Sequence, residues 1–123
     1  MRAERKVAET MIRLCLASLA TALLGFAAAP AFAQSKPVEI TISVKANKFE
    51  PAEVEAPANT AIVFRIKNLD AKPMEFESKE LRVEKIVPGG GEITLNVRAQ
   101  KPGRYEFYDD FHEDTTRGTL VVK

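Results

Sequence analysis

The residues of this chain best suited to binding a metal ion lie close together near position 110. Asp109 is followed three positions later by His112, the only histidine among the 123 residues. A neutral imidazole is a common ligand for copper, zinc and iron, and a carboxylate adds a hard, charged donor. An Asp-x-x-His pair that leaves a strand for a loop can place both side chains around one ion. The same spacing also fits a solvated turn, because Asp110, Glu113 and Asp114 make this segment acidic.

A second group of candidate ligands lies in the segment from residue 73 to residue 77. Alternation along a strand places Met74 and Phe76 on the inner face and the two glutamates on the outer face. The Met74 thioether is a soft donor that suits Cu(I), although methionine more commonly fills a core. Glu75 is the preferred carboxylate of this segment and Glu77 the reserve. The same acidic pair is also typical of an ordinary solvated face.

Strands must position these side chains, and the sequence beyond residue 37 consists of short runs in which apolar and polar residues alternate. A period of two gives a strand one buried face. The runs lie at residues 38–44, 62–66, 93–97 and 105–109, with a final apolar stretch at 119–122. Turn-forming clusters rich in proline, glycine and asparagine separate them. The pattern predicts an all-β protein, an antiparallel Greek-key β-sandwich of seven or eight short strands.

Asp109 stands at the end of one of these strands, in the phase that points inward. Tyr105 and Phe107 precede it at spacings of two, so its side chain is expected to face the core. Removing an unpaired carboxylate from water costs several kcal/mol. We therefore expect Asp109 to be paired, to bind a metal, or to lie close enough to the rim to stay hydrated.

Residues 1–33 have the organisation of a secretory signal peptide. A basic start is followed by an uncharged stretch at residues 14–29. Ala31-Phe32-Ala33 is the small-x-small pattern that signal peptidase accepts, which predicts cleavage after Ala33. The uncharged stretch is short for a membrane span of about 20 residues, so an uncleaved anchor is the less favoured alternative. We predict that a domain covering residues 34–123 is exported to a bacterial periplasm.

Composition limits the chemistry of the exported domain. Residues 1–33 carry four of the 18 basic and two of the 17 acidic residues, so the remainder has a net charge of −1. A near-neutral chain without a basic block is a poor partner for nucleic acid. The one cysteine, Cys15, lies in the predicted signal, which excludes disulfides and a cysteine nucleophile from the domain. With a single histidine and no nucleophile-elbow motif, hydrolase chemistry has little support.

Four segments, in order, resemble those of a cupredoxin. Asn47-Lys48-Phe49-Glu50-Pro51 is similar to the N-x-F-x-P opening of that family. Residues 68–74 are similar to the N-x-D-x-x-P-H segment that supplies the first copper histidine. Residues 101–108 resemble the P-G-x-Y-x-F-Y strand that leads to the ligand cysteine, and residues 117–122 resemble the closing G-T-L-V-V strand. The resemblance covers essentially all of residues 38–123 and implies the cupredoxin fold.

The same resemblance implies that the blue-copper site is missing. Met74 stands where the first histidine is expected, and Asp109 stands where the cysteine is expected. Thr115-Thr116 occupies the region of the axial methionine, so only His112 remains as a counterpart of the second histidine. Without a thiolate, neither the copper–sulfur colour nor the trigonal His₂Cys geometry can form.

The sequence is more similar to the cysteine-less cupredoxin-like proteins of bacterial ferrous-iron uptake, namely the EfeO-type cupredoxin domain and the FtrB-type component. Residues 73–90 carry segments that resemble theirs. The resemblance implies a protein that accompanies a periplasmic iron-binding protein and a membrane iron permease. Such a protein would bind copper or iron and assist ferrous-iron oxidation or hand-over.

The resemblance also implies a ligand set. Asp109 and His112 would hold the metal, with Met74 and Glu75 contributing from the neighbouring strand. Copper(II) would bind ahead of iron(II) in vitro, because it stands at the top of the affinity order for such donors.

Two alternatives belong to other functional classes. A metal-free β-sandwich that docks onto a periplasmic partner would need neither Asp109 nor His112 for its activity. A stand-alone ferroxidase would need a dinuclear or multicopper cluster, and the sequence contains no recognisable one. A homodimer that completes the coordination of a metal across two copies is also compatible with the sequence.

Overall fold

The computed structural model describes residues 25, 28–30 and 35–123 of the chain. The chain divides after Phe32, and the strands all belong to the second unit, Ala33–Lys123. The predicted signal peptide and its cleavage site lie almost entirely outside the described residues. In the part of the chain that is described, no helix is long and apolar enough to cross a membrane.

Within residues 35–123, nine strands form two sheets whose apolar faces pack against each other. The strands are β1 (Val38–Lys45), β2 (Lys48–Glu50), β3 (Glu53–Ala56), β4 (Ile62–Asn68), β5 (Met74–Ser78), β6 (Val83–Val87), β7 (Glu92–Val97), β8 (Gly103–Asp109) and β9 (Arg117–Val122). One sheet has the order β2-β1-β4-β7, and the other has the order β3-β9-β8-β5-β6. The predicted β-sandwich is confirmed.

The strand count and two of the pairings differ from the expectation. There are nine strands rather than seven or eight, because β2 and β3 have only three and four residues and are too short for alternation to reveal. Most of the pairings are antiparallel, as predicted, but β1 runs parallel to β4 and β3 runs parallel to β9. The chain crosses to the other sheet at β3 and then returns, so β4 enters the first sheet in the direction of β1.

Phenylalanine side chains fill the centre of the sandwich. The rings of Phe76 and Phe107 stack with their centroids 5.2 Å apart, and Phe49 packs edge-on against Phe107 at 5.0 Å. Phe64, from the facing sheet, lies 5.8 Å from Phe76. The alternation predicted for β5 is confirmed, with Met74 and Phe76 buried and the intervening glutamate half-buried. These rings fix the position of β5 and β8 relative to each other.

The pairing of β5 with β8 brings the candidate ligands to one end of the sandwich. Phe76 lies opposite Asp109 in this antiparallel pair, so β5 begins where β8 ends. The end of β4 lies there too, because the Asn68 side-chain amide donates to the Lys72 carbonyl at 2.8 Å. The segments that join β4 to β5 and β8 to β9 therefore meet at this end, which we call the loop end.

Candidate metal centre

The loop between β8 and β9 is closed by its own hydrogen bonds. A single 3₁₀ turn covers Asp110–His112, and Asp109 caps it. The backbone N–H groups of Thr115 and Thr116 both donate to the His112 carbonyl, at 3.1 and 3.0 Å. The Asp109 N–H donates to the Thr116 carbonyl at 3.0 Å. These bonds hold the backbone of His112 in a defined position at the loop end.

Asp109 is a buried carboxylate whose two oxygens are both engaged. Its side chain is 1% exposed. Oδ1 accepts hydrogen bonds from the backbone N–H groups of Glu75 and Phe111, each at 3.0 Å. Oδ2 lies 2.9 Å from Nδ1 of His112. The prediction that Asp109 points inward is confirmed, and these three partners compensate its removal from water.

His112 is oriented by this contact. A carboxylate can only accept, so the neutral imidazole carries its proton on Nδ1 and donates to Asp109. Nε2 then keeps its lone pair, on a side chain that is 36% exposed. Metal-binding histidines almost always donate their other ring N–H to a carboxylate, a backbone carbonyl or water, and this contact fixes the tautomer. The pair thus presents one well-ordered nitrogen donor at the loop end.

Asp70 adds a second carboxylate to the same end. Its Oδ1 accepts from the Ala46 N–H at 2.8 Å, and its Oδ2 accepts from the Asn47 N–H at 3.0 Å. The hydrogen bonds from Asn47 and Ala46 hold the pKa of Asp70 below its ordinary value, and His112 acts in the same direction. Asp70 therefore stays ionised and adds a negative charge to the surroundings of His112.

The other predicted ligands lie elsewhere around the same strand. Met74 is buried in the apolar core, opposite Val87 of β6. Glu75 meets Asp109 only through its backbone N–H, and its side chain faces outward toward Glu84. Glu77 also faces outward, directly opposite Glu84. The structure therefore brings Asp109 and His112 into direct contact, and it leaves the Met74 and Glu75 side chains on opposite faces of β5.

This donor set does not fit a blue-copper centre. Residues 35–123 contain no cysteine and a single histidine. Among the described residues, no three histidine, cysteine, aspartate or glutamate side chains lie close enough together to hold a metal ion. At the loop end, the nitrogen donor that the structure presents is Nε2 of His112.

Sequence reasoning missed Asp70 as a neighbour of this site. The side-chain oxygen of Asn68 accepts from the Asp70 N–H at 3.0 Å, which is an Asx turn. The Asn-x-Asp spacing carries that local signal. The hydrogen bonds that Asp70 accepts from Ala46 and Asn47, in the turn after β1, have no such local signal in the sequence. They join positions more than twenty residues apart.

Glu75 and Glu84 form a like-charged pair on the outer face of the sheet. A hydrogen bond with Glu84 raises the pKa of Glu75 to about 7, and partial burial and the negative charges nearby act in the same direction. The proton shared by such a pair is retained because two adjacent carboxylates resist ionising together. Titration of Glu75 therefore falls near neutral pH.

This pair predicts a pH dependence of stability. The pKa of Glu75 in the folded protein lies above its ordinary value of 4.5, so between pH 4.5 and about 7 the folded state holds a proton that the unfolded chain has released. Stability should fall as the pH rises through this window. Glu75→Gln should therefore raise the melting temperature at about pH 8, with the gain vanishing toward about pH 4. Thermal unfolding across this range measures it.

Two further variants test whether the Glu75–Glu84 pair causes this pH dependence of stability. Glu84→Gln should give the same pH-dependent gain, because it removes the other half of the pair. Asp114→Asn, at an exposed carboxylate of the β8–β9 loop, should change little at any pH. A gain from Glu75→Gln that is equal at all pH values would contradict the explanation.

The fold and the loop end define a cupredoxin-type β-sandwich. The chain belongs to the cupredoxin-like domain family, whose model matches residues 15–122. A relative of this sequence is an uncharacterised protein of Rickettsia prowazekii (strain Madrid E). The two are 42% identical over 85 residues, which cover 69% of this chain and 68% of the relative.

Several solved copper proteins share the fold. Auracyanin A, a "blue" copper protein of Chloroflexus aurantiacus, has a TM-score of 0.62 and 17% identity, covering 72% of this chain and 100% of its own. The metal-binding domain of the Streptococcus pneumoniae D39 Cu(I)-exporting P-type ATPase has a TM-score of 0.62 and 15% identity, covering 74% and 91%. At these identities the likeness shows the fold alone. The protein is thus a cupredoxin-like domain that shares its fold with these copper proteins.

Proposed function

We propose that this protein is an exported, copper- or iron-binding accessory of ferrous-iron uptake, with His112 as its principal ligand. The observation that carries the proposal is the 2.9 Å contact between His112 Nδ1 and the buried Asp109 carboxylate. This contact reserves Nε2 for an external partner and holds the ring in one tautomer. A metal bound there would supply redox chemistry, and the chain's own residues would orient and retain it.

The charges at the loop end support a cation as that partner. Asp70 is ionised, and Asp110 and Asp114 lie in the same loop as His112, whereas Glu113 of that loop pairs with Arg117 at 3.1 Å. Carboxylates and one imidazole are acceptable donors to both copper and iron. In our proposal, Asp109 positions the imidazole and binds the metal only if it gives up a present hydrogen bond. Met74 and Glu75 are ligands only if their strand or side chains rearrange.

The iron-uptake part of the proposal rests on the resemblance of residues 73–90 to cysteine-less proteins of that process. A site without a thiolate holds its metal less tightly than a blue-copper site and suits hand-over rather than permanent retention. The partners would be a periplasmic iron-binding protein and a membrane iron permease. A periplasmic location follows if residues 1–33 act as the predicted signal.

Copper titration of the purified protein tests the site. In calorimetry with Cu(II) at neutral pH, His112→Ala should weaken binding by at least about 100-fold, because it removes the main donor. Asp109→Asn should weaken it by about 10- to 100-fold, since the amide holds the imidazole less firmly. Asp114→Asn serves as the matched control and should bind as the unmodified protein does. Absence of copper and iron binding, or full binding by His112→Ala, would refute the proposed site.

A metal-free docking module is a second candidate function. It is favoured by the observation that both oxygens of Asp109 are already satisfied within the protein. In that case the Asp109–His112 pair serves to hold the β8–β9 loop. Growth under iron limitation separates the two functions. A cell carrying His112→Ala should grow poorly if the metal site is needed, and normally if the protein only docks.

A further inference from the structure

A cavity of about 460 Å³ opens at the end of the sandwich opposite His112. It lies between the turn that joins β5 to β6 and the segment that follows β7. β7 pairs with β4 so that Val97 lies beside Ile62, the first residue of β4, and thus far from the loop end. Its walls include Leu81, Arg82 and Asn96, together with Arg98 and Gln100. The size falls within the usual range of small-molecule sites.

The two arginines of this cavity differ from the other arginines of the domain. Residues 35–123 contain five arginines. Three of them pair with carboxylates: Arg65 with Glu92 at 3.1 Å, Arg104 with Glu53 at 3.0 Å, and Arg117 with Glu113 at 3.1 Å. Arg82 and Arg98 form no ion pair with any residue in 35–123. Both unpaired guanidinium groups belong to residues that line one cavity.

The β5–β6 turn holds Arg82 in an unusual backbone conformation. Its φ is +57°, in the left-handed region that a residue with a long side chain seldom adopts. The turn is tied down because the Ser78 hydroxyl donates to the Glu106 carbonyl at 2.6 Å and accepts from the Leu81 N–H at 3.2 Å. The Arg82 N–H donates to the Lys79 carbonyl at 3.3 Å. Such backbone positions concentrate at sites that contact ligands.

The one carboxylate that lines the cavity is partly engaged elsewhere. Glu80 accepts a long hydrogen bond from the backbone N–H of Glu106, at 3.4 Å. The Asn96 side chain adds an amide donor to the cavity wall. Leu81 is buried beside it and gives the cavity an apolar boundary. The lining residues therefore include two arginines, one glutamate, an asparagine and the apolar Leu81.

We propose that this cavity binds a small molecule that carries an oxyanion, either a carboxylate or a phosphate, between Arg82 and Arg98. A planar guanidinium matches the two oxygens of such a group and binds them through parallel hydrogen bonds. Because neither guanidinium group pairs with a carboxylate of residues 35–123, an anion that binds there breaks no ion pair within that range. The inference is independent of the proposed metal function, because the two sites lie at opposite ends of the sandwich.

Calorimetry with inorganic phosphate and with citrate tests the proposal and separates the two sources of the oxyanion. We expect at least one probe to bind the purified protein at low ionic strength. Binding of citrate alone identifies a carboxylate ligand, and binding of phosphate alone identifies a phosphate ligand. Arg82→Asn keeps a side chain that tolerates the left-handed backbone, and Arg98→Gln keeps the length of the stem. Each variant should weaken binding by about tenfold.

Arg104→Gln is the matched control, because it removes the same charge from an arginine that pairs with Glu53 and does not line the cavity. Its affinity should stay within about twofold of the unmodified protein. Thermal unfolding of all variants verifies that they remain folded. The proposal is wrong if neither probe binds up to about 10 mM. It is also wrong if the two cavity variants bind normally, or if Arg104→Gln weakens binding as much as they do.

Discussion

Asp109→Ala is expected to lower the free energy of unfolding by about 3–5 kcal/mol. The substitution leaves the partly buried N–H of Glu75 without its acceptor, removes the cap from the 3₁₀ turn and frees His112 Nδ1. A buried donor that loses its partner keeps its full desolvation penalty. For a domain of this size the melting temperature should fall by more than about 12 °C. Urea denaturation measures the loss of stability directly.

Two variants with smaller expected losses of stability serve as controls for Asp109→Ala. Asp109→Asn keeps one side-chain oxygen as an acceptor and should cost about half as much. Asp114→Ala removes an exposed carboxylate from the same loop and should change stability by less than about 0.5 kcal/mol. If Asp109→Ala were no more harmful than Asp114→Ala, the three hydrogen bonds would contribute nothing, and Asp109 would not be what holds the β8–β9 loop in place.

Gly118→Ala is the second variant with a large expected effect. A Cβ at this position would overlap the ring of Phe107 and lie 2.8 Å from the Ala52 carbonyl oxygen. Phe107 cannot move aside, because Phe49 and Phe76 pack against it. The backbone of β9 would have to shift, at a cost of about 3 kcal/mol or more. Chemical denaturation of the purified variant measures this cost.

Gly103 provides the comparison, since it lies in β8, the strand that contains Phe107. The atom nearest to a Cβ there would be Tyr105 Cε2, at an ordinary 3.5 Å. Gly103→Ala should therefore change stability by less than about 0.5 kcal/mol. Equal stability of the two variants would mean that the ring of Phe107 can be displaced despite its contacts with the neighbouring phenylalanines.

The inward direction of Asp109 could be predicted because the period of a strand is local. Tyr105 and Phe107 determine the phase, and the buried carboxylate follows from it. The same period placed Met74 and Glu75 on opposite faces of β5. This separation already made it difficult for both side chains to reach one ion without a change in the strand.

The partners of Asp109 and the cavity lined by Arg82 and Arg98 could not be predicted in the same way. The Glu75 N–H lies 34 positions from Asp109, and no pattern in the sequence shows which backbone donor will meet a carboxylate. Arg82 and Arg98 appear in the sequence as ordinary surface charges. Their common location depends on how the two sheets pack against each other, and their lack of ion pairs within residues 35–123 depends on where the carboxylates of that range lie.

The place of β9 in its sheet has a consequence for how the protein folds. β9 lies between β3 and β8 and pairs with both. Until residues 117–122 form β9 between them, β3 and β8 each present an unpaired edge. Such edges can pair with strands of other chains. The pairing of β9 with β3 is also slow, because the two strands are far apart in the sequence. The interval before β9 docks is therefore when the chain is most prone to aggregate, and a chaperone that shields strand edges would act there.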